Sequence, residues 1–241
     1  MLSDLAEDPE FGPTNAGAFD MTAACSGFVY GVNLAHGLVR SGQCRNVAVL
    51  GTEHLTKMVE YSTRGRGTAI LFGDGSGGVL IRATDDPSKG LLAQSMRSDG
   101  TRWCDLFIPR SGSDFPGGEV TDDLAMGIMR MNGRAVFKFA VGTFGDLIGE
   151  TLEKAGLSAD DVDHYICHQS NIRILEAARD RFGIPPEKMP INIDRVGNTS
   201  AASVPILLSE QTKSGVIKPG DRVMMVAFGA GLTWTSSLWQ L

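Results

Sequence analysis

Residues 19–42 read FDMTAACSGFVYGVNLAHGLVRSG, and residues 191–215 read INIDRVGNTSAASVPILLSEQTKSG. Each stretch opens on a short strand-like run, passes through small residues, enters an apolar-periodic segment and stops at Ser-Gly. Cys25 stands 17 residues before Gly42, and Asn198 stands 17 residues before Gly215. In the first copy Phe28, Val29, Val32, Ala35, Leu38 and Val39 recur at helical spacing. The continuation past each Ser-Gly is also shared: an apolar strand (VAVLG from Val47, VMMVAFG from Val223), a glycine-rich turn and a last strand. The pattern predicts an α/β fold built from two related halves, the first spanning 1–89 and the second 90–241.

Outward from these stretches, strands are expected at 18–21, 47–50, 69–72, 78–83, 91–95, 162–167, 191–194, 223–228 and 232–239. The 47–50 strand reads as buried, and the glycines of GDGSGG at 73–78 read as a turn. Helices are expected at 25–41, 132–155, 171–182 and 199–214, the last three stopped by Gly156, Gly183 and Gly215. A polar, Gly-rich loop between the 91–95 strand and Arg130 is too long for a connector and is expected to border a site. The two halves are unequal. By their symmetry a strand–helix–strand–helix stretch is missing before residue 18, and MLSDLAEDPEFGPT cannot supply it. Such a gap would leave apolar faces around 47–50 uncovered.

Composition narrows the classes. The 241 residues are 42% apolar and 21% charged, enough for a sizeable core. No run of 18 apolar residues exists, so no membrane span is expected, and the start lacks the pattern of a secretory signal. Cys25, Cys44, Cys104 and Cys167 form no CxxC pair, which argues against a zinc site or disulfide scaffold and fits a reducing cytoplasm. A net charge of −6 argues against general nucleic-acid binding.

Cys25, in DMTAACSGF, is expected at a strand-to-helix junction. Unpaired N–H groups and the helix dipole there would lower the thiol pKa and favour a nucleophile; the competing reading is a buried structural cysteine. Small neighbours (Ala23, Ala24, Ser26, Gly27) leave room for an acyl group. His168, in YICHQSN, falls where a strand ends and a helix begins, a common place for active sites in α/β folds; alternatively it is a core histidine. Asn198, in RVGNTSAASVP, is either functional or a plain helix N-cap. The repeat places Cys25 and Asn198 at equivalent points. GAG at 229–231 could turn backbone N–H groups toward an oxyanion or simply make a turn. GDGSG lacks the GK[ST] of a phosphate loop. Cys167 reads as core, Cys44 and Cys104 show no partner signal, and His36, His54 and His164 read as surface or rim residues.

TAACSGF, the RGT–FGDGSG run, MNGRAVFKFA, HQSNIRI, GNTSAASVP and AFGAGLTW together resemble 3-oxoacyl-[acyl-carrier-protein] synthase III, the initiating ketoacyl synthase of fatty-acid synthesis. The resemblance covers roughly residues 16 to 241 in family order, with 143 residues from Cys25 to His168 and 30 from His168 to Asn198. It implies a thiolase-like fold of two α/β halves in five layers, here with the family's first stretch of about 90 residues absent, usually assembled as a homodimer in the cytoplasm. It implies that an acyl-CoA primer acylates Cys25, and that malonyl carrier protein is then decarboxylated and condensed. Position by position, it implies that His168 and Asn198 hydrogen-bond the malonyl thioester, and that Phe228 lies beside it. Ala230 and Cys25 would supply oxyanion N–H groups, and Asn171 would line the tunnel. Arg66 would contact the CoA nucleotide, with Arg64 competing because the segment reads RGRGT. Lys138, Arg173 and Arg181 would receive the acidic acyl carrier protein. No metal or redox cofactor is implied. The Cys-His-Asn set separates this family from elongating synthases (two histidines), thiolase (a second cysteine) and HMG-CoA synthase (a glutamate base). Two other readings remain: a non-catalytic truncated paralogue or fragment, and a thiolase-fold acyltransferase with another primer or acceptor.

Overall fold

The computed structural model describes residues 16–109 and 126–241. The opening MLSDLAEDPEFGPT and the SGSDFPGG run of the long loop lie outside the described residues.

In chain order the elements are α1 (Gly27–Arg40), β1 (Asn46–His54), α2 (Arg66–Ala69), β2 (Asp74–Arg82), β3 (Gly90–Ser98), β4 (Leu106–Phe107) and β5 (Arg130–Met131). There follow α3 (Gly133–Ala155), β6 (His164–Cys167), α4 (Ile172–Phe182), α5 (Ile193–Val196), α6 (Ser203–Lys213), β7 (Arg222–Gly229) and β8 (Thr233–Gln240). Short 3-10 turns at Ala24–Ser26 and Ser200–Ala202 lead directly into α1 and α6. The long α3 is fixed at both ends by its sequence. The Asn132 side chain accepts from Ala135 N, and Gly156 closes the helix in the left-handed region at φ 66°.

β3, β8, β7 and β6 form one sheet in that order, with β6 and β7 parallel and the other pairings antiparallel. β7 is buried on both faces, which explains its unbroken apolar run. Met224, Val226 and Phe228 face a core built with Phe144, Leu147 and Ile148 of α3 and Leu175 of α4. Val223, Met225 and Ala227 face a second core with Phe28 and Val32 of α1 and Val204 and Leu207 of α6. Beyond α1 and α6 lies the antiparallel pair β1–β2, whose inner residues Val49 and Val79 pack on that second core. The layers among the described residues are therefore α3 with α4, the four-stranded sheet, α1 with α6, and β1–β2. A fifth layer is not seen among them. The outer face of β1–β2 is open: Leu50 is 53% exposed and Leu80 57% exposed.

The structure corrects several expectations. Residues 47–50 make a strand, but a half-open one. Residues 18–21 take no regular structure, and Phe19 is exposed; a strand needs a neighbour to satisfy its backbone groups, and none pairs with this stretch among the described residues. Ala69 closes the short helix α2 and 70–72 follow it without forming a strand, and 191–194 enters the short helix α5.

Gly75, Gly77 and Gly78 of GDGSGG are strand, not turn, and Gly73 immediately precedes that strand. A Cβ at Gly75 would stand 2.7 Å from Ile206 Cδ1, and one at Gly77 would stand 3.1 Å from Ile206 N. Glycine is required because α6 lies directly on the inner face of β2.

Candidate active site

The two parallel strands end side by side, and the chain turns there into chemistry. Immediately after β6 comes His168, and the last two residues of β7 are Phe228 and Gly229. Facing them are the 3-10 turns that precede α1 and α6. These contain the two non-glycine residues with positive φ among those described, Ala24 at 46° and Ser200 at 49°. Such conformations cost on the order of 1–3 kcal/mol each. Each strained residue stands three positions before its helix, so Ala24 and Ser200 are the true equivalents of the repeat, and Cys25 corresponds to Ala201. The expected equivalence of Cys25 and Asn198 is thus displaced by three residues. The helices end in the register read from the sequence, but α6 is three residues shorter than α1 at its start.

Cys25, His168, Asn198, Phe228, Gly229 and Asn171 line one cavity of about 400 Å³. Cys25 is 7% exposed and His168 1%. The Cys25 backbone is clasped from behind: a Cβ on Gly229 would stand 2.6 Å from Cys25 N.

Burial dominates the electrostatics. It pushes the Cys25 thiol up to about 11; a Ser200 hydrogen bond offsets part of that, and the Glu53 carboxylate adds to it. The place expected for Cys25, at a helix start, would lower the pKa, and the structure reverses that sign. Cys25 precedes α1 inside a 3-10 turn, and loss of water outweighs the dipole. Burial likewise brings His168 down to about 3. At neutral pH the resting site is a neutral thiol beside a neutral imidazole.

Each side chain is aimed by its neighbours. His168 Nδ1 lies 2.6 Å from Ser203 Oγ, leaving Nε2 for the cavity. The ring meets Phe228 edge to face, with centroids 5.5 Å apart. Asn198 Oδ1 accepts from Ser200 N at 2.9 Å, so the amide's Nδ2 donor remains available. The Asn198 backbone is held by the first half, its N–H donating to Leu71 O at 2.7 Å and its carbonyl accepting from Gly73 N at 3.0 Å. A Cβ on Gly73 would meet Val196 O at 2.3 Å, so this glycine too serves a close approach. Glu53 of β1 accepts from Ala201 N at 3.2 Å and ties the same loop to the same half.

Asn171 caps α4, accepting from Arg173 N at 3.0 Å, and its Nδ2 is free toward the cavity it lines. Ala230 follows Gly229 and packs against the cluster of Leu55, Phe72 and Leu106, of which Phe72 and Leu106 line the cavity. Arg66 is exposed at the start of α2, next to the cavity-lining Gly67. Arg64, by contrast, is paired with Glu60 at 3.2 Å. Lys138 is exposed on the second turn of α3, and Arg173 on the first turn of α4. Arg181 sits at the far end of α4, paired with Asp146 at 2.8 Å and laid across Gly145.

Sequence reasoning did not single out Arg134 and Phe137, which line the cavity from α3, nor Glu53, Ser200 and Ser203. Helical periodicity announced α3 without saying that its first turn overhangs a cavity. As expected, Cys167 is buried core. His54 is exposed near Asp74 and His164 partly buried against Asp221. No group of three or more metal-ligating side chains occurs among the described residues.

Residues 19–100 match the family described as 3-oxoacyl-[acyl-carrier-protein (ACP)] synthase III, and residues 152–241 match its C-terminal counterpart. The chain belongs to the 3-oxoacyl-[acyl-carrier-protein] synthase III family. It is 44% identical over 227 residues to the beta-ketoacyl-[acyl-carrier-protein] synthase III of Caldanaerobacter subterraneus, covering 94% of this chain and 68% of that one. It is 42% identical over 223 residues to that of Staphylococcus aureus strain Newman, covering 92% and 66%. Among solved structures, the synthase III of Aquifex aeolicus superposes with a TM-score of 0.84 at 39% identity, covering 95% of this chain and 68% of that one. The chain thus spans about two thirds of the length of these relatives. The synthase III family consists of condensing acyltransferases, and the fold is the thiolase-like α/β fold that the sequence resemblance implied. No helix among the described residues is long and apolar enough to cross a membrane.

Proposed function

We propose that this chain carries the initiating condensation of fatty-acid synthesis. An acyl-CoA primer acylates Cys25, and malonyl carrier protein is then decarboxylated and condensed to 3-oxoacyl carrier protein. The observation that carries this reading is the convergence of Cys25, His168 and Asn198 on one cavity in a member of the synthase III family.

In the first half-reaction the Cys25 Sγ–acyl bond forms, the bond to the CoA sulfur breaks, and the thiol proton leaves with CoA. The raised thiol pKa makes loss of the thiol proton part of that step, and the departing CoA sulfur takes that proton up. The N–H groups of Cys25 and Ala230 take the developing oxyanion. In the second half-reaction the malonyl carboxylate leaves as CO2. The enolate oxygen is held by His168 Nε2 and Asn198 Nδ2, Phe228 shields the site from water, and the enolate carbon attacks the Cys25 thioester. The carbon–sulfur bond breaks and the cysteine thiolate takes up a proton. No metal or redox step enters. Arg66 is favoured over Arg64 for the CoA nucleotide because Arg64 is already paired with Glu60. Asn171 offers its free amide to the arm of the incoming thioester. Lys138 and Arg173, exposed and next in sequence to the cavity-lining Phe137 and Ile174, are favoured over the tied Arg181 for the acidic carrier protein. Assembly as a cytoplasmic homodimer belongs to the same reading.

The test is to supply acetyl-CoA and malonyl carrier protein. Acetoacetyl carrier protein is expected from the native chain. His168→Ala and Asn198→Ala should retain acetylation of Cys25 and lose condensation by roughly a hundredfold or more. Arg173→Glu should weaken turnover with the carrier protein and spare acylation by acyl-CoA.

A second reading is favoured by the open outer face of β1–β2, where Leu50 and Leu80 meet solvent: the 241 residues alone are a non-catalytic fragment or paralogue. A compact chain that melts cooperatively and forms acetoacetyl carrier protein would exclude it. A third, an acyltransferase with another primer or acceptor, draws on a relative at 34% identity, the priming beta-ketosynthase of the R1128 polyketide pathway. Product analysis with a panel of acyl-CoAs separates it from the first.

A further inference from the structure

Ser203 is the first residue of α6 and is fully buried. Its hydroxyl has three neighbours. Gln169 N donates to it at 3.3 Å, His168 Nδ1 lies 2.6 Å away, and Ser200 O lies 2.9 Å away. A serine hydroxyl has one proton to donate, so two acceptors compete for it. If it goes to Ser200 O, His168 Nδ1 must carry the ring proton and Nε2 faces the cavity bare. If it goes to Nδ1, the ring proton sits on Nε2.

Three observations choose between these states. The contact to Nδ1 is the shorter. Ser200 O already accepts from the backbone N–H of Ser203, so it loses little without the hydroxyl. Ser203 Oγ is the hydrogen-bond partner of Nδ1, which lies in the buried part of a ring 1% exposed. At 2.6 Å that contact is shorter than the usual N–H···O bond and within the range of a hydroxyl donor, which makes the hydroxyl the donor and Nδ1 the acceptor.

We infer that Ser203 is a positioning residue that sets the tautomer of His168: its hydroxyl donates to Nδ1, which fixes the single ring proton on Nε2, facing the cavity. The buried ring is neutral at neutral pH, so one proton is all there is to place. The consequence rests on the proposed function: Nε2–H is the donor that the enolate oxygen requires, and the other tautomer would present a lone pair to a negative charge.

The test uses the full chain with 15N-labelled histidine. Two-bond 15N–1H correlation spectra distinguish the tautomers, and His168→Gln assigns the His168 signals. The native chain is expected to show His168 with its proton on Nε2. Ser203→Ala should shift His168 partly or wholly to the Nδ1–H form. It should also slow decarboxylation of malonyl carrier protein roughly tenfold or more, while Cys25 acetylation changes by less than about threefold. An Nδ1–H tautomer in the native chain overturns the inference, as does an unchanged Nε2–H tautomer in Ser203→Ala. Should that variant not fold, Ser203→Cys, with a weaker donor of similar shape, is read in the same way. A native chain that condenses its substrates with His168 in the Nδ1–H form would remove this inference and leave the proposed function standing. A native Nε2–H tautomer in a chain without condensation would do the reverse.

Discussion

Cys25 is held as a thiol. Burial brings it to about 11 from an ordinary 9.0, so only a small fraction is thiolate at neutral pH. Alkylation by iodoacetamide is expected to be slow at pH 7 and to rise about tenfold per pH unit up to pH 10, because the thiolate is the reacting form. A rate already at its plateau by pH 8 would show that an anion is stabilised instead. Ser200→Ala should slow the reaction further at fixed pH, because it removes the hydrogen bond that lowers the pKa. The same residue shows where sequence reading stopped. The motif around Cys25 and the small residues beside it marked the position. The sign of the pKa shift depended on how deeply the fold buries the sulfur and on a short 3-10 turn in place of a helix start, and neither is written in local spacing.

Helices were legible wherever a cap or a glycine stop enclosed an apolar period. α3 shows it, with Asn132 at one end and Gly156 at the other. Asn132→Ala should cost about 1 kcal/mol of stability by chemical denaturation, and a cost near zero would mean the cap is not formed. Strands were harder. Residues 69–72 and 191–194 have strand-like composition, but what surrounds them makes them turn or helix. The glycines of β2 carried a misleading signal, since a turn and a close approach both call for Gly. Gly75→Val places a branched side chain against Ile206 and is expected to destabilise by about 1–3 kcal/mol, with a lower midpoint in urea. A turn glycine with free space would tolerate the change.

At the scale of the molecule, the repeat announced two halves and the motifs announced the site. The bonds that tie the Asn198 loop to the first half came only from the structure, where Leu71 and Gly73 hold the Asn198 backbone and Glu53 holds Ala201. Burial of the neutral His168 also has a global signature. Its folded pKa of about 3 lies below the ordinary 6.5, so the unfolded chain binds more protons between those values. The associated stability is therefore full above about pH 6.5 and is lost as pH falls toward 3, by a few kcal/mol in all. His168→Gln should flatten that acid limb in melts taken from pH 7 to pH 4, and an unchanged limb would argue against a buried neutral ring. The open face of β1–β2 is expected to bind a hydrophobic dye, and Leu50→Lys with Leu80→Lys should reduce the signal. The most direct measurement of the central claim, that Cys25 is the acylated nucleophile of a two-step condensation, is intact-mass analysis after incubation with acetyl-CoA, then again after malonyl carrier protein is added. One acetyl group on the Cys25 peptide, absent from Cys25→Ala and discharged as acetoacetyl carrier protein in the second step, is the expected result; acetylation that persists in Cys25→Ala, or an acetyl-Cys25 that malonyl carrier protein leaves untouched, would contradict it.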